Sequence, residues 1–139
     1  MVTILLLSAL IAQSTAYRID PATCEAGFDL KATMHTVHGS TTSLTGEVRV
    51  EPEDAGRLRF SGKIAIGAAS LETGNDKRDA IMHSKSFLIA SFPNIDFEPE
   101  RFTPSGPPGA DGSIPGALAG QLTIRGQTRA QKMSATLAP

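Results

Sequence analysis

Apolar and polar residues alternate along most of this chain, and the alternation has period 2 rather than 3.6. Between Phe28 and Val37, the residues Phe28, Leu30, Ala32 and Met34 fall on one face and Asp29, Lys31, Thr33 and His35 on the other. One apolar face at period 2 predicts a half-buried strand, and His38-Gly39 reads as its end. Leu44, Gly46, Val48 and Val50 repeat the pattern, followed by an acidic turn from Pro52 to Gly56. Leu58, Phe60, Gly62, Ile64, Ile66 and Ala68 then share a face opposite Arg59, Ser61 and Lys63. Gly62 and Gly67 inside so long a run predict a bend or bulge. Farther on, Ile95 and Phe97 oppose Asp96 and Glu98; Leu118, Gly120, Leu122 and Ile124 make another inward face; and Met133, Ala135 and Leu137 begin one more strand. Thr103 to Pro115 is a Pro/Gly-rich loop.

The stretch from Ser70 to Glu98 interrupts this regularity. Gly74 suits the positive φ of a chain reversal. Asn75 or Asp76 suits a helix N-cap, and Asp76 and Asp79 suit its first turn. A short helical insertion is therefore expected over Asp76 to Phe87. Pro93 has no N–H for a sheet ladder, so the next strand begins after it. The whole reads as an all-β chain of six or seven antiparallel strands with one helical insertion. Strands of this kind curl into a barrel or pack as a sandwich.

Residues 1–16 stand apart. Val2 to Ala12 is nearly all apolar, Ser14-Thr15-Ala16 offers small residues, and the first charged side chain is Arg18. This pattern predicts a secretory signal peptide cleaved after Ala16, although no Lys or Arg precedes its apolar core. The run is too short to span a bilayer, so no stable membrane span is expected in the mature form. Residues 17–139 then form one domain. The net charge of −1 supplies no basic field and no Lys/Arg-rich run, which argues against nucleic acid as a partner. The single cysteine, Cys24, has no intrachain partner and reads as a small buried hydrophobe.

Several short motifs occur in order: Ser70-Leu71-Glu72-Thr73-Gly74-Asn75, Arg78-Asp79, Ser84, Ser86-Phe87 and Phe92-Pro93-Asn94-Ile95-Asp96-Phe97. Tyr17-Arg18-Ile19-Asp20-Pro21 and Leu122 to Arg129 flank them. Together they resemble the YceI-like family, bacterial periplasmic proteins with a lipocalin-like antiparallel barrel that binds polyisoprenoid lipids. Where the family usually carries a His-Ser pair after its opening strand, this chain has Thr23-Cys24. The resemblance implies an antiparallel lipocalin-like β-barrel, a periplasmic location and a long-chain isoprenoid lipid as ligand. The family continues for about two more strands, so the barrel is expected to be incomplete, lacking its last strands. A homodimer stays open.

No arrangement of residues argues for an enzyme. His35 and His38 stand three apart in an expected strand and point to opposite faces, so no metal site is expected. His83 and Asp79 lie four apart on a short helix and read as a surface ion pair. Ser84 and Ser86 lack a nucleophile elbow, and Cys24 lacks a nearby base. Arg78-Asp79 reads as a turn-locking pair. Neither catalytic residues nor cofactors are therefore assigned.

Binding has a better basis. Many inward positions are small, Ala32, Gly46, Gly62, Ala68 and Gly120 among them; Trp is absent, and aromatics make up only 5% of the chain. Such an interior is expected to be underfilled, and the cavity itself is what the resemblance implies. The inward-face count nominates Phe28, Leu30, Phe60, Ile64, Ile66, Phe97, Leu122 and Ile124 as the lining of one continuous apolar space for a hydrocarbon tail. The competing reading is a non-enzymatic β-sandwich, a structural or stress-interaction protein with a dry core.

Overall fold

The computed structural model describes residues 14–138 except 21, 23 and 32. Most of the expected leader, residues 1–13, lies outside the described residues. Among the described residues there are eight strands: β1 (Thr15–Arg18), β2 (Ala26–Lys31), β3 (Thr36–Thr41), β4 (Leu44–Pro52), β5 (Leu58–Gly67), β6 (Asn94–Pro104), β7 (Ile114–Ile124) and β8 (Gln127–Leu137). An α-helix, α1 (Asp76–Ile81), runs straight into a wider π-type turn, Met82–Ser86. The helical insertion therefore falls where the sequence put it.

Six strands make one antiparallel sheet in the order β1-β4-β5-β6-β7-β8, and β2 and β3 form a separate hairpin. From β4 to β8 the sheet is a meander, with one long connection between β5 and β6 that carries α1, and it does not close. It is an open, antiparallel, lipocalin-like arrangement with β1 and β8 at its edges.

The expected single strand from Phe28 to Val37 is instead the β2–β3 hairpin. Leu30 faces Val37, and Asp29 faces His38. His38-Gly39, expected to end a strand, lies in the middle of β3. Phe28 explains the pairing: it stands opposite Gly39, whose missing side chain leaves room for the ring. Met34, counted as inward, is in the turn and 93% exposed. An even-numbered inward face in β2 becomes an odd-numbered one in β3, so the period-2 count fails across the turn.

Bulges reset the count elsewhere. The β5–β6 register shifts between Arg59 and Ile64, and Gly62 within that span has φ +109. The β6–β7 register shifts between Pro99 and Arg101. An extra residue in one strand of a pair bends it and changes which side chains face inward. Phe97 and Phe102 are an odd number of positions apart, yet both are buried, and Phe102 keeps only 1% of its surface. Each ring lies over a glycine of β7. A Cβ on Gly120 would meet Phe97 Cζ at 2.7 Å, and one on Gly116 would meet Phe102 Cζ at 2.5 Å. The expected Pro/Gly loop is shorter than Thr103–Pro115, because β6 runs to Pro104 and β7 starts at Ile114.

The hairpin is tied to the sheet by backbone and hydroxyl bonds. Ser40 and Glu72 exchange N–H···O bonds of 3.0 and 3.1 Å. Thr41 Oγ1 bonds Ser70 Oγ at 2.6 Å and accepts from the Ser43 N–H at 2.9 Å. These contacts hold β2 and β3 beside the segment that follows β5. Among the described residues, no helix is long and apolar enough to cross a membrane.

Candidate functional site

Ala68, Leu71 and Ile95 form a buried cluster, and Phe28, Ile66, Met82, Phe87, Ile89, Leu122 and Ile124 pack on it half-buried. Beside this cluster lies an apolar cavity of about 420 Å³. Its size falls within the roughly 300–1,000 Å³ of small-molecule sites. Three structural units wall it. The hairpin gives Ala26, Phe28 and Leu30; the sheet gives Ile66, Ile95, Leu122 and Ile124; the segment after β5 gives Leu71, Met82, Ser86 and Phe87. Ser86 supplies a polar side chain to this lining; Asp29 borders it from β2 with its carboxylate turned to the exposed side of the hairpin.

The helical segment roofs the cavity because its base is clamped. Asn75 caps α1, accepting from the Arg78 N–H at 3.0 Å. Asp79, buried, accepts from the Thr73 N–H at 3.0 Å and from Thr73 Oγ1 at 2.5 Å. Arg78 Nε donates to Thr73 Oγ1 at 2.8 Å, and its terminal nitrogen donates to the Thr73 carbonyl at 2.8 Å. Thr73 is thus held by both members of the Arg-Asp pair, which locks the turn as the sequence suggests. The expected His83–Asp79 ion pair gives way to this arrangement: His83 Nε2 bonds the Leu71 carbonyl at 2.8 Å instead. The π-type turn then carries Phe87 back over Met82, with the Phe87 N–H donating to the Met82 carbonyl at 2.9 Å. Phe87 meets Phe28 edge-to-face, 6.5 Å between centroids, closing the roof against the hairpin.

Of the eight residues nominated from the sequence, five line this cavity: Phe28, Leu30, Ile66, Leu122 and Ile124. The other three lie elsewhere. Ile64 and Phe97 face each other across β5 and β6, with Phe97 seated on Gly120. Phe60 borders a separate hollow with Arg59, Arg101 and Ala119. The nomination omitted Leu71, Met82, Phe87 and Ile95. Ile95 was within reach of a strand count, whereas Leu71 lies past the end of β5, after the turn Ala68–Ser70. Met82 and Phe87 meet through a π-type turn, for which the sequence carries no periodic signal.

The other candidate chemistry stays dispersed. His38 Nδ1 pairs with Asp29 Oδ1 on the exposed side of the hairpin. No cluster of three His, Cys, Asp or Glu side chains with metal-holding geometry occurs among the described residues. Cys24 is half-buried. Shifted ionisations lie away from the cavity. The hydrogen bond from Arg59 first, and then the charges of Arg101 and Arg59, hold Glu53 below the usual carboxylate range against a desolvation that works the other way. Arg57 lowers Asp54 in the same turn, and bonds from Ser113 lower Asp111 in the β6–β7 loop.

Comparison with known proteins gives the following. A family model described as the YceI-like domain matches residues 17–139. None of the curated protein sequences compared with the chain matches it. Among solved structures, BcnA of Burkholderia cenocepacia is similar at 18% identity and a TM-score of 0.64, over 84% of this chain and 69% of that one. The YCEI protein of Campylobacter jejuni is similar at 22% identity and a TM-score of 0.53, over 85% and 66%. A polyisoprenoid binding domain from Saccharophagus degradans, implicated in plant cell wall breakdown, is similar at 14% identity and a TM-score of 0.59, over 89% and 67%. The chain spans about two thirds of the length of these structures, and at such identities the likeness is one of fold.

Proposed function

The chain belongs to the YceI-like family, and from that premise we propose that it is a non-enzymatic lipid-binding protein. It holds a long isoprenoid-type chain in its apolar cavity and acts as a carrier in the periplasm. The observation that carries this reading is the cavity itself. About 420 Å³ of space is walled by Phe28, Ile66, Met82, Phe87, Leu122 and Ile124, an environment with few fixed polar partners. A hydrocarbon tail needs none, and each CH₂ taken from water contributes about 0.8 kcal/mol. The polyisoprenoid-binding domain among the similar folds supports the same ligand class. The periplasmic assignment rests on the family and on the apolar leader-like run before Arg18.

The test is extraction. The chain, with its leader, is expressed in a bacterium, recovered from the periplasmic fraction and extracted with organic solvent. A near-stoichiometric isoprenoid chain in the extract, with Tyr17 at the mature N-terminus, is the expected result. A folded protein that releases no lipid, and takes up no polyprenol when stripped, is a dry-cored sandwich module, and the carrier reading fails.

A further inference from the structure

The apolar wall does not end where the cavity does. Leu122 and Ile124 also border a second hollow of about 420 Å³, whose remaining lining is Arg125, Gln127, Arg129 and Gln131. Register explains the continuity. In β7–β8, Leu122 stands opposite Arg129, Ile124 opposite Gln127 and Gly120 opposite Gln131, and directly paired residues project from the same face of a sheet. The face that is apolar on β7 is therefore polar and cationic on β8, one strand away.

Neither guanidinium has a hydrogen-bonded or ion-paired partner among the described residues. The nearest acids of β6 stand on the other face: Asp96 is in register with Thr123 and Glu98 with Gln121. Asp96 there lies 3.9 Å from Lys63. Arg125 is placed at a cost. It occupies the tight β7–β8 turn at φ +53, a region that a long side chain rarely adopts. Gln127, Arg129 and Gln131 follow one another at period 2, so their donors form a row along the strand. A guanidinium fork matches a phosphate or carboxylate through two parallel N–H···O bonds.

We propose that the face of β8 that continues the apolar wall of β7, together with the turn before it, is a headgroup site, where Arg125 and Arg129 with the flanking glutamines receive the oxyanion of an amphiphile whose tail lies against Leu122 and Ile124 in the cavity. The inference rests on the lipid-binding reading and narrows its ligand class to a long-chain lipid with an anionic head. Apolar wall and cations share two side chains, so one molecule reaches both without bending away from the sheet.

The experiment uses the stripped chain and three probes: a polyprenyl phosphate, the polyprenol of equal chain length, and inorganic phosphate. Calorimetric titration is expected to give the polyprenyl phosphate at least a tenfold lower Kd than the polyprenol. In the double variant Arg125→Gln, Arg129→Gln that ratio falls below about threefold while polyprenol binding is unchanged. Arg129→Lys, which keeps the charge and loses the fork, gives an intermediate ratio, and Arg49→Gln on β4 leaves it unaltered. Equal affinities for the two lipids in the parent chain overturn the headgroup site and leave lipid binding intact. A tenfold preference that survives the double variant, or is lost in Arg49→Gln, overturns the assignment to these arginines. Inorganic phosphate binding as tightly as the lipid phosphate makes this a free-anion site and refutes the amphiphile. If neither lipid binds, the carrier reading falls and the headgroup site falls with it.

Discussion

Removing the carboxylate of Asp79 should loosen the roof of the cavity before it unfolds the sheet. Asp79 is only 9% exposed and accepts two hydrogen bonds from Thr73, one from the backbone N–H and one from the hydroxyl. A bond to a charged group contributes about 1.5–3 kcal/mol net, and a buried donor left without a partner costs about 1–3 kcal/mol. Thr73 is half-buried, which places each bond at the low end. Asp79→Ala is therefore expected to cost about 3 kcal/mol. Thr73→Val, which removes the hydroxyl and keeps the backbone bond, should cost about half as much. The loss belongs to residues 73–92, because the β4–β8 ladders contain neither Asp79 nor Thr73. Urea unfolding gives the totals. Amide exchange should show faster opening at Asp79 and Phe87, whose N–H groups bond Asn75 and Met82, with little change at Phe97 and Phe102. Release of bound lipid should quicken in step. An Asp79→Ala protein within about 0.5 kcal/mol of the parent, with unaltered exchange in that segment, would refute the clamp.

Further substitutions probe the packing. Phe102→Ala empties the most buried large site and should cost about 3–5 kcal/mol by urea denaturation. Gly120→Val should fail to fold or lose at least about 2–3 kcal/mol, since its Cβ would lie 2.5 Å from the Glu98 carbonyl oxygen and 2.7 Å from Phe97; a near-neutral result would mean that β6 and β7 are spaced differently. Ile66→Trp fills part of the cavity and should lower the amount of bound isoprenoid in a protein that still folds, read by extraction and mass spectrometry. Glu53 has a folded pKa below its unfolded value of 4.5. Its contribution to stability is thus present above about pH 4.5 and lost as pH falls through the lower folded value. Carbon-detected NMR titration should find the depressed midpoint and see it rise in Arg59→Gln.

Much of the fold was legible because the chain states its rules locally. Period-2 alternation marked β4, β5 and β7 correctly. Gly74, Asn75 and Pro93 marked where a strand ends, where α1 begins and where β6 starts, since a positive φ, an N-cap oxygen and a missing N–H each act on their own neighbours. What was not legible is what parity does when a residue is added or the chain turns back. Phe28 to Val37 reads as one strand because apolar residues continue through the turn; only a partner for the Phe28 ring, Gly39, shows that the chain has reversed. At Pro99–Arg101 a single bulged residue moves Phe102 onto the face that Phe97 occupies. No count along one strand detects that, because the bulge is a property of the pair.

The site follows the same division, and the division bears on what the protein holds. Residues on regular strands, Ile66, Leu122 and Ile124, were found by counting. The roof residues Met82 and Phe87 were not, because a π-type turn has no periodic signature and is held by Asp79, Thr73 and Arg78 from outside the cavity. The wall is therefore rigid, part of a hydrogen-bonded ladder, whereas the roof hangs on a few side-chain bonds with local free energies of a few kcal/mol. Elements that open to admit a ligand come from the low-stability end of a structure. A long chain entering an apolar space needs such an opening and gains most of its affinity only once inside, as successive CH₂ groups leave water. The fixed wall then sets which tails fit, and the clamped segment from Thr73 to Phe92 sets how readily they enter. Substitutions in the clamp should accordingly change the rates of lipid uptake and release together, with less effect on affinity, whereas substitutions at Ile66 or Leu122 should change affinity.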